Sequence, residues 1–129
     1  IFDTNFYIMN KVRKTIYRRL KEISATDYPV FDRQVVVSKS SSTSIPDKPG
    51  VYFFHDTRGP IYIGESNNLR NRFLDHLKEK KNPRLASLLK NPWGQIYFSW
   101  IKKKNKREAE HFERKYLKMF EPICNEQLK

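Results

Sequence analysis

The stretch from Gly50 to His76, GVYFFHDTRGPIYIGESNNLRNRFLDH, most constrains how this chain folds. Two runs of aromatic and β-branched residues flank Asp-Thr-Arg-Gly, and such runs around a glycine-containing turn read as a β-hairpin. A three-residue loop, Thr57-Arg58-Gly59 with Gly59 left-handed, pairs Asp56 with Pro60, Phe54 with Tyr62 and Tyr52 with Gly64. Tyr52 and Tyr62 then share one face of the hairpin and sit diagonally. A loop with an even residue count puts them on opposite faces, so everything built on them depends on register. Gly64 has no Cβ and lets a backbone or a phosphate come close over Tyr52.

Ser66 is the expected N-cap of a helix over Asn67 to Lys80. At about 100° per residue, Leu69, Phe73 and Leu77 form its apolar stripe. Arg72 and His76 lie one turn apart on the flank of that stripe. Taken singly, Arg72 reads as a surface ion-pair partner and His76 as a half-buried, satisfied histidine. Beside two tyrosines on one face, they read as a kit for a phosphodiester.

The rest of the chain supplies fewer constraints. Asp3 to Ser24 repeats apolar residues at Met9, Val12, Ile16, Leu20 and Ile23, a helical spacing. Basic residues fill most of its other face, which suits either a solvated surface or a phosphate backbone. Val35 to Val37 suit a short extended segment, and Ser38 to Ser44 a loop. Pro83 starts a short helix through Leu89, with Leu85, Leu88 and Leu89 inward. Gly94 to Ile101 alternates as a third strand, with Ile96, Phe98 and Trp100 on one side. The boundary expected from this pass separates an N-terminal helical extension and Ser-rich linker (1–45) from a compact domain (46–129).

Twenty-six Lys and Arg against 14 Asp and Glu give a formal charge of +12. That excess favours a polyanionic partner, nucleic acid first. An acidic membrane surface is disfavoured, because no long apolar run or lipidation signal accompanies the charge. Lys102, Lys103, Lys104, Lys106 and Arg107 crowd one loop, and Arg70 adds to them from the helix after the hairpin. These six are the expected phosphate contacts to a nucleic acid; the bland alternative is a lysine-rich turn that keeps the chain soluble. Cys124 is the only cysteine, so an intrachain disulfide and a cysteine-rich zinc site are excluded. The opening residues do not read as a secretory signal. A cytoplasmic setting, bacterial or phage-like, is the expectation.

The last helix, Arg107 to Phe120, carries one residue out of place. Glu113 falls inside the stripe formed by Ala109, Phe112, Tyr116, Leu117 and Phe120. An unpaired buried carboxylate costs several kcal/mol or takes up a proton. Its partner is either a salt bridge to Arg72 or a divalent cation. A cation fits hydrolysis of a phosphodiester, where a charge must stabilise the leaving oxygen. Mg²⁺ suits one carboxylate with waters and phosphate oxygens, and Mn²⁺ is the alternative.

Gly50-Val51-Tyr52, Tyr62-Ile63-Gly64, Asn68-Leu69 with Arg72, Glu113, and a closing Pro122 and Asn125 together resemble the GIY-YIG nuclease superfamily. The resemblance covers Pro46 to Asn125. It implies an α+β fold: a small three-stranded antiparallel sheet flanked by helices, to which the N-terminal basic helix is added. It also implies hydrolytic cutting of DNA with one divalent metal. Carried over, Glu113 binds the metal and Arg72 holds the scissile phosphate. Tyr52 acts near the attacking water, and Tyr62 hydrogen-bonds the phosphate or the water. Asn125 ties the end of the last helix back to the site.

His76 matches the histidine of homing- and restriction-type members, where repair-type members have a tyrosine. Glu65 stands where repair-type members put a lysine. Both point to the homing or restriction branch. In the mechanism implied, Tyr52 takes the water proton with help from His76, or only orients the water while solvent takes the proton. One such site cuts one strand, so cutting both needs a homodimer or sequential nicking, and family members commonly carry an additional DNA-recognition domain. A DNA-binding module of the same fold without cleavage activity, and a basic scaffold for protein or RNA, are the competing readings.

Overall fold

A computed structural model describes residues 28–78, 82–92 and 94–128. The expected basic helix at Asp3 to Ser24 lies outside these residues. Four antiparallel strands form one sheet: β1 (Arg33–Val36), β2 (Gly50–Asp56), β3 (Gly59–Ser66) and β4 (Tyr97–Lys102), in the order β1-β4-β2-β3. The three strands of the expected sheet are all present. The β-branched segment near Val35 adds a fourth at the β4 edge, where Val35 pairs with Phe98.

Helices cover both faces. On one side, α1 (Leu69–Lys78) and α2 (Pro83–Lys90) bury Leu69, Phe73 and Leu85 against Tyr52, Phe54, Phe98 and Trp100. On the other, α3 (Lys106–Phe120) sets Tyr116 and Phe120 against Val51, Phe53 and Ile63. The alternation of β2 therefore feeds two cores at once, and each buried aromatic stabilises by about 1.5–3 kcal/mol.

The helix ends follow local hydrogen bonds. Asn82 and Asn105 cap α2 and α3, their side chains accepting from the N–H of Leu85 and Glu108. Pro83 opens α2, as expected. The cap of α1 differs from expectation. Asn68 Oδ1 accepts from the Asn71 N–H at 3.0 Å, while the Ser66 hydroxyl accepts from the Asn68 N–H and so shapes the approach. Ser66 is still paired within β3, opposite Gly50, and is too early in the chain to cap. The α3 helix stops at Glu121, whose left-handed backbone (φ 47°) returns its N–H to Leu117 O; Pro122 follows.

The hairpin turn differs as well. Asp56 pairs with Gly59, leaving the two residues Thr57 and Arg58 at the tip. An even loop alone would put the two tyrosines on opposite faces. A bulge between Phe54 and His55 on one side and Pro60 and Tyr62 on the other absorbs Ile61 and restores the parity. The pairs Phe54 with Tyr62 and Tyr52 with Gly64 are thus as expected, by a different route. Gly59 has φ 125°, a conformation that favours glycine, and the Asp56 carboxylate accepts the Arg58 N–H at 2.8 Å to fix the turn.

Candidate active site

Two close approaches build the site. At Gly50, a Cβ would stand 2.6 Å from Ile101 O and 2.8 Å from Leu69 Cδ1, so only glycine lets β4 and α1 close over the start of β2. At Gly64, a Cβ would stand 2.3 Å from the Tyr52 hydroxyl oxygen. The space over Gly64 is thus taken by the Tyr52 ring itself, not left open for a backbone or a phosphate. Tyr52 is 1% exposed, with its ring stacked on Phe98 at 5.3 Å.

The Tyr52 hydroxyl reaches His76 Nε2 at 2.7 Å. Tyr62 completes a triangle of rings, 6.2 Å from Tyr52 and 5.2 Å from His76 between centroids. Arg72 is exposed one turn before His76. Its charge acts on both tyrosines and on His76. Glu113 belongs to the helix on the opposite face, yet its charge also acts on both phenols. It does so across β3, the edge strand, which α3 flanks. The five residues singled out from sequence therefore form one electrostatic cluster. No salt bridge joins Arg72 to Glu113, so that alternative partner for the carboxylate is not realised among the described residues.

The protonation states follow from burial. Burial pushes the Tyr52 phenol well above its ordinary value of 10.0, with Tyr62 and Glu113 adding to the rise and Arg72 opposing it. Burial and then Glu113 raise Tyr62. Burial, followed by repulsion from Arg72, holds His76 down to about 4. The Tyr52–His76 contact is thus one between a neutral phenol and a neutral imidazole at pH 7. Glu113 goes the other way: burial raises it to about 7, and the nearby Glu65 and Glu110 carboxylates add to the rise. Arg114 and a hydrogen bond from the Glu65 backbone N–H act against them.

Glu65 is the residue whose place the sequence reading missed. One carboxylate oxygen of Glu65, Oε2, is buried without a hydrogen-bond partner. The signal was present: on a strand, Ile63 and Glu65 point to the same face, the one α3 covers. Among the described residues, Arg114 is the cation acting against the Glu65 and Glu110 charges on Glu113, which leaves this corner short of positive charge. Carboxylates in excess of their countercharge fit a hard divalent cation, which takes one or two carboxylates together with water and phosphate oxygens. No group of three or more His, Cys, Asp or Glu gathers among the described residues, so an all-protein cage is not the arrangement here.

Asn125 clasps the free edge of β3. Its Oδ1 accepts from the Ile63 N–H at 3.0 Å and its Nδ2 donates to Ile63 O at 2.9 Å. It pairs with the edge as another strand would, directly beside Tyr62. Of the basic residues, Lys102, Lys104, Lys106 and Arg107 are exposed. Lys103 and Arg70 are already engaged. Lys103 Nζ sits 3.5 Å from the Phe112 ring centre, and Arg70 Nε donates to Ile45 O at 2.8 Å. No helix among the described residues is long and apolar enough to cross a membrane.

Residues 48–127 match the GIY-YIG catalytic domain, and the chain belongs to that family. It is 33% identical over 84 residues to UvrABC system protein C of a Hydrogenobaculum species, covering 65% of this chain and 14% of that protein. It is 35% identical over 94 residues to excinuclease cho of Escherichia coli, covering 70% of this chain and 30% of that protein. The chain therefore spans only a minor part of these relatives. Among solved structures it is similar to the GIY-YIG N-terminal endonuclease domain of UvrC from Thermotoga maritima bound to magnesium as its catalytic divalent cation. That match has a TM-score of 0.57 and 28% identity, over 67% of this chain and 93% of that one.

These relatives are excision-repair nucleases, so the expected homing- or restriction-type affinity is not borne out. Glu65 and His76 were its only grounds. Each is a single position, and His76 meets the demand of its site simply by reaching the Tyr52 hydroxyl, a contact open to more than one residue type.

Proposed function

We propose that this domain is a divalent-metal-dependent DNA endonuclease that hydrolyses phosphodiester bonds, with Tyr52, Tyr62, Arg72, His76 and Glu113 as its site. The observation that carries this reading is the half-buried Glu113 carboxylate, raised by its acidic neighbours, acting on the same two phenols that Arg72 acts on. Magnesium in the Thermotoga maritima UvrC domain supports Mg²⁺, with Mn²⁺ as a substitute. When bound, the cation would supply charge to stabilise the leaving oxygen, with Glu113 holding it.

The residues of the chain divide the remaining work. Arg72, exposed and without an ion-pair partner among the described residues, takes the scissile phosphate. Tyr62 donates its hydroxyl to a phosphate oxygen or to the attacking water. The Tyr52 hydroxyl orients that water. Its raised pKa excludes a standing phenolate, so it accepts the water proton only as it passes its own to His76 Nε2. A phosphate on Arg72 cancels the repulsion that helps hold His76 near 4, so substrate itself makes His76 a better acceptor. The water oxygen bonds to phosphorus, the leaving oxygen departs, and solvent protonates it. Lys102, Lys104, Lys106 and Arg107 hold the flanking DNA backbone.

Plasmid nicking with and without Mg²⁺, beside Glu113→Ala, tests the reading. The expected result is nicking that needs both the metal and Glu113. DNA binding with no nicking across metals and substrates would instead make this a DNA-binding module that does not cut.

A further inference from the structure

Glu65 has no part in the roles assigned above, yet it is the least explained charged group at the site. It sits on β3 opposite Val51, on the strand face that α3 covers. Glu113 stands on α3, the helix packed against this strand, and the Glu65 charge acts on it. One of Glu65's own carboxylate oxygens, Oε2, is sealed from solvent with nothing to accept from. A buried carboxylate oxygen in that condition is unfavourable unless something compensates it. The structure gives it a like charge for a neighbour instead of a partner.

Two explanations compete. Either the unpartnered Glu65 oxygen is a leftover of packing, or Glu65 and Glu113 face one positive ligand. Packing does not require a carboxylate here, because a glutamine of the same shape fills the same volume. The position also matches the need of a hard cation for a second oxygen donor. We infer that Glu65 is a second carboxylate ligand of the divalent cation, so that strand β3 and helix α3 each contribute one oxygen donor to the same ion. This rests on the reading that Glu113 holds the metal. It adds a role for the strand: an ion bridging Glu65 and Glu113 pins the edge of β3, which carries Tyr62, to α3.

The test is Mn²⁺ binding to the full chain, measured from the electron paramagnetic resonance of free Mn²⁺, at low and high salt. Four proteins are compared: wild type, Glu65→Gln, Glu113→Gln and Glu110→Gln. Glu110→Gln removes the same charge one turn before Glu113, from the carboxylate next in influence after Glu65. Glu65→Gln is expected to weaken Mn²⁺ binding about tenfold, equally at both salt concentrations, because a direct ligand is not screened. Glu110→Gln is expected to change it by less than about twofold, and only at low salt.

Equal losses for Glu65→Gln and Glu110→Gln that both fade in high salt would reduce Glu65 to a background charge and overturn the inference. So would wild-type affinity in Glu65→Gln. If Glu113→Gln binds Mn²⁺ as well as wild type, the underlying assignment of Glu113 has failed, which is a separate result. Thermal unfolding in chelator provides the folding control. Glu65→Gln should melt no lower than wild type, and Glu65→Ala, run in parallel, should reproduce its Mn²⁺ loss.

Discussion

The two ends of the β2–β3 hairpin treat buried charge in opposite ways. At the turn, Asp56 is 8% exposed and is matched at once: its carboxylate accepts from the Arg58 backbone and side chain and forms an ion pair with the guanidinium. At the open end, the Glu65 and Glu110 charges act on Glu113 with Arg114 opposing them, and burial with these charges raises Glu113 to about 7. Same hairpin, same sheet, yet one end is closed electrostatically and the other is left open. The turn has only to hold the register. Among the described residues the open end is short of positive charge, and in the proposed reading that deficit is where a cation and a phosphodiester enter.

The comparison can be broken most decisively through activity. Glu113→Ala should lower nicking by about 10³-fold or more while the protein stays folded, because the group proposed to hold the cation is gone. Tyr52→Phe should lower it by about 10²–10⁴-fold with little change in melting temperature, since only the hydroxyl facing His76 is lost. Comparable nicking by either variant would mean that the open end is not where cutting occurs.

Stability sharpens the contrast. Gly64→Ala places a methyl against the Tyr52 hydroxyl and should cost about 1–3 kcal/mol in denaturant unfolding, along with activity. Asp56→Ala should also destabilise, by about 1–3 kcal/mol, because it strands the largely buried Arg58. In metal-free protein, by contrast, Glu113→Gln should stabilise. Charge removal at the hairpin turn and on the helix beside its open end thus has opposite signs.

pH gives the smallest and most graded effect. The folded-state pKa of Glu113, about 7, lies above its ordinary 4.5. The folded state therefore holds the extra proton between those values, and metal-free stability falls as pH rises from about 4.5 to 7. Metal binding must displace that proton. Mn²⁺ affinity should therefore rise with pH up to about 7 and level off above it. A flat profile from pH 5 to 8 would mean that Glu113 is not the ligand.

Much of this site was legible in the sequence, because the residues that form it also set the fold. The Tyr52–Gly64 and Phe54–Tyr62 pairs followed from hairpin register, and Glu113 stood out as an acid within an apolar stripe. What could not be read were features fixed by tertiary contact. The Ile61 bulge rescues a two-residue turn that by itself gives the wrong parity. The fourth strand depends on β4 offering its edge to a short, exposed segment. The Glu65–Glu113 encounter needs α3 laid against β3, which no local pattern encodes. The branch assignment failed for a related reason: one residue type at one position carries chemistry, not ancestry.

The deficit of positive charge at the open end is tested most directly by thermal unfolding of wild type and Glu113→Gln at pH 8, in chelator and in excess Mg²⁺. The account predicts that Glu113→Gln melts higher than wild type in chelator, and that Mg²⁺ raises the wild type but not the variant. A variant that melts lower in chelator, with Mg²⁺ leaving both unchanged, would mean that Glu113 is already satisfied within the protein and that no cation belongs there.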